Sequence, residues 1–322
     1  MTQDGDKPVD GLTDAAAAPP QFLPPGTRQR HQPPGADVHD SLAYSWPNGY
    51  RAVELDLFVP SNRTGPVPCV VWIHGGGWLF GSRQVLPYEW PAGSLFTACI
   101  EAGIAVAAIE YRHSREASFP AQLHDAKAAV RYVRQFGPAL GIDPDRIAVW
   151  GESAGGHLAA LVGLVTDPAL EGREGLTGPS SAVSAVVDFY GIADVDTMPN
   201  FLDNFPQEWR DELERTGQGA PAEPIDVLLA DSPWPRDEAR RLVSPVHHVA
   251  ADSVPLLLIH GETDRIVPVS QSAELHDALT AAGASSQLVR VPGADHVFSG
   301  TDPMPQIAAG VEFLAQHFGL RE

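Results

Sequence analysis

The pentapeptide Gly151-Glu152-Ser153-Ala154-Gly155 constrains this chain more than any other stretch. It follows an apolar run, Ile147–Trp150, and precedes an alanine- and leucine-rich run, Gly156–Val162. A strand that turns sharply through G-x-S-x-G into a helix lifts the serine hydroxyl clear of the end of a sheet. The two glycines permit the turn where a Cβ would clash. Taken by itself the pentapeptide is a short turn of small residues. Its strand-turn-helix setting, and what the rest of the chain places after it, give it meaning.

The same alternation runs through most of the sequence. Leu42–Trp46 and Arg51–Val59 read as strands around the turn Pro47-Asn48-Gly49. Val67–Ile73 is a continuous apolar run, as in a central strand covered on both faces. Ile104–Ile109 is a strand, and Pro120–Phe136 is a helix with Leu123, Ala126, Val130 and Val133 at helical spacing. Further strands are expected over Ala182–Tyr190, Pro255–His260 and Gln287–Val291, with helices over Ser270–Ala282 and Gln306–Phe318. Alternating β and α elements imply an α/β fold with a mostly parallel sheet and helices on both faces. Residues 1–38, rich in Pro, Ala and Gly, read as a disordered tail, leaving 39–322 as one domain. Residues 192–242 are too long for an ordinary connection and read as a small cap insertion, with helical pieces at Gln207–Arg215 and Asp237–Leu242.

The net charge of −20 argues against nucleic acid or an anionic membrane as partner. No basic segment leads into an apolar one at the start, and no apolar run approaches the ~20 residues of a membrane helix. The expected setting is therefore the cytoplasm, without a membrane partner. The two cysteines, Cys69 and Cys99, lie in apolar runs and read as buried small side chains; no metal-ligand spacing is present. The oligomeric state is not readable.

A serine hydroxyl needs a base, and the base needs an orienting acid. The apolar run Leu256–Ile259 leads into His260-Gly261-Glu262-Thr263-Asp264, which offers Asp264, preferred over Glu262, as the acid. The run Gln287–Val291 leads into a turn-rich loop ending at His296, the candidate base; Asp295 reads as a brace of that loop. His157, His247 and His248 lack this placement. The order Ser153, Asp264, His296 is the one such a sheet requires. His74-Gly75-Gly76-Gly77-Trp78 ends the Val67–Ile73 strand, and its amides can converge with that of Ala154 on a developing oxyanion.

Together with Glu110-Tyr111-Arg112, Phe119-Pro120-Ala121, Asp125-Ala126 and His260-Gly261-x-x-Asp264, these motifs resemble α/β-hydrolase carboxylesterases of the hormone-sensitive-lipase type. The run Ser153–Ala159 is closer still to the bacterial feruloyl and acetyl esterase (BD-FAE) branch. The resemblance spans roughly residues 42–320. It implies an eight-stranded hydrolase sheet, no cofactor and no metal. It also implies oxyanion donors at Gly76, Gly77 and Ala154, with Gly75 a further candidate, and a bracing role for His74. The family's longer N-terminal helical lid is not evident in this chain. Trp78 and Tyr190 are expected at the substrate pocket, with Phe80, Phe201, Phe205, Trp209 and Trp234 as further aromatics that line it or belong to the core. The reading is a serine carboxylesterase acting through an acyl-enzyme on short-chain, aryl or acetyl esters of small molecules. An amide-cleaving enzyme, such as an aryl-formamidase or a peptidase, would use the same triad. A non-catalytic binding module would lack one of its members.

Overall fold

The computed structural model describes residues 32–201, 215 and 222–321. Most of the expected tail, most of the helix expected over Gln207–Arg215, and the aromatics Phe205 and Trp209 lie outside these residues. Eight strands form one sheet: β1 (Ala36–Ser45), β2 (Val53–Pro60), β3 (Val67–Ile73), β4 (Ala105–Ile109), β5 (Ile142–Glu152), β6 (Val186–Phe189), β7 (Leu256–Gly261) and β8 (Ser286–Val291). Their order is β1-β2-β4-β3-β5-β6-β7-β8. β1 and β2 form an antiparallel hairpin, β2 runs antiparallel to β4, and all later pairings are parallel. β1 starts at Ala36, inside the stretch assigned to the tail. Ala36–His39 pair with Leu57–Pro60, so backbone pairing orders a segment that lacks a strong apolar pattern.

The period of two along each strand divides the core into two layers. Val71, Ile73, Ala107, Ile109 and Val149 face one side, where they meet α2 (Ala121–Phe136), α3 (Ala154–Leu164) and α6 (Ser270–Ala282). Val70, Trp72, Val106, Ala148 and Trp150 face the other, where α1 (Ser94–Glu101) and α7 (Met304–His317) pack. The remaining helices among the described residues, α4 (Pro224–Leu228) and α5 (Arg236–Val243), belong to the segment expected as a cap. This is the α/β-hydrolase fold. Cys69 and Cys99 are free and buried, and burial pushes the Cys69 thiol up to about 12.

α3 is buried on nearly every side, which suits its composition of Ala, Gly and Leu. Its close approach depends on glycine. A Cβ on Gly151 would strike the Gly155 carbonyl, and a Cβ on Gly155 would strike the Ile73 carbonyl. Register completes the arrangement: Ile73 lies opposite Gly151, and Phe189 opposite Glu152. The loops leaving β3, β5 and β6 therefore emerge side by side.

Candidate active site

Ser153 occupies the turn from β5 into α3 with φ 54° and ψ −120°. Its amide donates to the Phe189 carbonyl at 2.8 Å, tying the turn to β6. The Ser153 hydroxyl lies 3.0 Å from His296 Nε2. His296 stands in a short turn after β8, and its Nδ1 lies 2.8 Å from Asp264 Oδ2. With that carboxylate as acceptor, Nδ1 carries the proton and Nε2 offers a lone pair to the serine. Asp264, not the exposed Glu262, faces the imidazole. Its other oxygen accepts from the amides of Ile266 and Val267, each at 2.9 Å. Burial alone would raise the Asp264 pKa, but hydrogen bonds from His260 and His296 hold it well below the usual carboxylate range. His260 is a fully buried second imidazole on this acid. Its Nε2 donates to the Val267 carbonyl and lies 3.4 Å from Asp264 Oδ2, while its Nδ1 faces Ser272. Asp295 accepts from the His296 amide and from Arg265, as expected of a brace.

In the loop after β3, which the Gly75 amide ties to Glu152, Gly76 and Gly77 have φ of 106° and 59°. The Gly76 carbonyl accepts from Leu79 and Phe80, which curls the loop. The Ala154 amide opens α3, so it has no acceptor within the helix. Gly75 is a correction. Its amide donates to Glu152 Oε1 at 2.5 Å and is not offered to an oxyanion. The Glu152 carboxylate also fills the space a Cβ on Gly75 would need. Burial pushes the Glu152 pKa up, with His296, the Gly75 amide and His74 acting against it. His74 supports the same loop: its Nδ1 donates to the Gly75 carbonyl at 2.8 Å, and its ring stacks on Tyr111.

Two expected pocket residues are interior. Trp78 is 1% exposed, and its indole N–H donates to His157 Nδ1 at 3.2 Å. His157 in turn donates from Nε2 to the Val243 carbonyl, and burial pushes its pKa down to about 4. Tyr190 is 0% exposed and packs edge-on against His296 with ring centroids 4.9 Å apart. Both rings support the site from behind and present no surface to a substrate. Phe80, 67% exposed, and Pro224, the residue facing Gly77, also lie beside the loop after β3.

His74, Glu110 and His113 bring three ligand-type atoms within 4.8 Å of one another, the one such grouping found among the described residues. Glu110 already accepts from Arg83 and Ser82, so this grouping reads as a brace beneath the loop. Arg112 and Asp125, motif residues without an assigned role in the sequence, form a buried pair with two contacts of 2.8 Å.

Fold and site together define an α/β-hydrolase with a hydrogen-bonded serine, histidine and aspartate at the carboxyl ends of its strands. The family model BD-FAE matches residues 55–279, and the chain belongs to that family. Esterase LipQ of Mycobacterium tuberculosis (strain ATCC 25618 / H37Rv) is 29% identical over 92% of this chain, which spans 66% of that relative's length. Among solved structures, a truncated carbohydrate esterase from gut microbiota superposes with a TM-score of 0.74 at 28% identity, covering 90% of this chain and 99% of that one. Thermogutta terrifontis esterase 2 phosphoramylated by tabun superposes with a TM-score of 0.63 at 27% identity, covering 88% and 95%. Among the described residues no helix is long and apolar enough to cross a membrane.

Proposed function

We propose that this chain is a serine carboxylic-ester hydrolase working through an acyl-enzyme on small esters with short, acetyl or aryl acyl groups. The observation that carries the reading is the continuous line Ser153 Oγ, His296 Nε2, His296 Nδ1, Asp264 Oδ2, with separations of 3.0 and 2.8 Å. In this reading Ser153 attacks the ester carbonyl while His296 takes its proton and later returns it to the leaving alcohol. Asp264 fixes the imidazole tautomer and stabilises the imidazolium. The amides of Gly76, Gly77 and Ala154 receive the charge that builds on the carbonyl oxygen. Water then attacks the acyl-serine, with His296 again as base. The esterase names of the relatives support the reaction class, and the carbohydrate esterase neighbour favours carbohydrate esters as one substrate arm.

The test is a series of p-nitrophenyl esters of increasing acyl length, extended to feruloyl and acetyl-sugar esters and to formyl-kynurenine. Highest kcat/KM on short or aryl esters is expected. Highest kcat/KM on the formamide would make the enzyme an amidase instead. Ser153→Ala is expected to lower kcat by roughly 10⁵–10⁶; turnover near the parent level would remove Ser153 as nucleophile.

A further inference from the structure

The backbone around the base is held in conformations that it does not favour on its own. Val297 and Phe298, the two residues after His296, have φ of 56° and 61°. A β-branched residue in the left-handed region is a genuine outlier, and two consecutive residues there persist only when their surroundings over-determine them. Here the surroundings come from the far side of the sequence. The indole N–H of Trp90 donates to the Val297 carbonyl at 2.9 Å. The Trp90 ring stacks on Phe298, with planes 9° apart and centroids separated by 6.2 Å. One residue earlier, Glu89 accepts from the Ser299 hydroxyl at 2.9 Å. Trp90 is itself fixed by Trp72 and Phe189 beneath it. The opposite flank of the turn is tied down by Arg265 through Asp295. The loop that begins with the oxyanion glycines thus ends, at Glu89 and Trp90, on the turn that carries the base.

We propose that Glu89 and Trp90 form a latch that positions His296 by holding the Val297–Phe298 backbone in its left-handed conformation. Neither residue touches substrate; both act through the turn. The latch couples the oxyanion loop to the base, so the two halves of the site move as one unit. This inference rests on the reading of His296 as the base, and the experiment separates the two claims.

The variants are Trp90→Phe, which keeps the stacked ring but loses the N–H, Ser299→Ala, Val297→Gly, the double variant Trp90→Phe with Val297→Gly, and His296→Ala. Each is assayed for kcat and KM on p-nitrophenyl acetate, normalised to the concentration of folded protein, alongside its melting temperature. Trp90→Phe is expected to lower kcat about tenfold with KM within about twofold, and Ser299→Ala to lower it about threefold. Glycine adopts positive φ without strain, so Val297→Gly should recover most of the kcat lost in Trp90→Phe. Multiplicative effects of the two changes, or parent-like kcat in both Trp90→Phe and Ser299→Ala while His296→Ala is inactive, would overturn the latch alone. Should Trp90→Phe not fold, Ser299→Ala decides in its place. Parent-like turnover in His296→Ala would overturn the base assignment and the latch with it.

Discussion

The non-glycine residues with positive φ gather around one point. Trp78, Ser153, Tyr190, Val297 and Phe298 lie at the site, and only Ser41 lies elsewhere among the described residues. Such conformations cost of the order of 1–3 kcal/mol each and persist where surrounding contacts enforce them. Glu152 shows how a neighbour of the serine contributes. Its buried carboxylate holds the Gly75 amide and so ties the loop after β3 to the turn that carries Ser153. Glu152→Ala is therefore expected to lower kcat on p-nitrophenyl acetate by about a hundredfold, the scale of a misplacement near 1 Å. Glu152→Gln, which keeps an acceptor for the same amide, should retain most of the activity. Equal losses in both variants would mean that the negative charge, not the acceptor, matters.

At the scale of elements, the legible features were those written locally. The strand-turn-helix around Ser153, the loops after β7 and β8, and the triple glycine after β3 each carry their own signature within a few residues. Helix α6 was readable to its ends because Gly283 stops it in the left-handed conformation. What was not legible depends on partners distant in sequence. Trp78 and Tyr190 have the same composition signal whether they line a pocket or fill a core; only packing against His157 and His296 decides it. The withdrawal of the Gly75 amide needed β3 beside β5, and the Trp90 to Val297 contact joins residues 207 positions apart. The Arg112–Asp125 pair is of the same kind: it locks the segment after β4 to α2 in a buried setting. Truncating one partner strands a buried charge, so Asp125→Ala should destabilise the fold by about 3–5 kcal/mol, read as a lower denaturation midpoint in urea. A midpoint within error of the parent would show that Glu174 alone suffices for Arg112.

For the whole molecule, two buried groups beneath the site give opposite pH dependences. Burial pushes Asp188 up to about 7, opposed by the Gly191 amide. The folded state keeps a proton there that the unfolded chain releases above its ordinary value of 3.8. The stability from Asp188 is thus fully present below that value and is lost as pH rises through about 7. His157, pushed down to about 4 by burial, acts in the other sense, because the unfolded chain takes up a proton below its ordinary 6.5 and stability falls as pH drops toward 4. Asp188→Asn keeps an acceptor for Gly191 and removes the first effect. Its melting temperature should exceed the parent's by a few degrees near pH 8, with the advantage shrinking toward about pH 5. A difference that stays constant with pH would contradict the buried, proton-holding Asp188. The net charge of −20 bears on solubility and encounter more than on fold.

The central claim is that Ser153 becomes acylated during turnover. Acid quenching of the protein during reaction with p-nitrophenyl acetate, followed by peptide mapping by mass spectrometry, tests it most directly. An acetyl group on the peptide carrying Ser153, absent from Ser153→Ala, is the result this account predicts. Steady hydrolysis with no acyl adduct on that peptide, or an adduct that persists in Ser153→Ala, would contradict it.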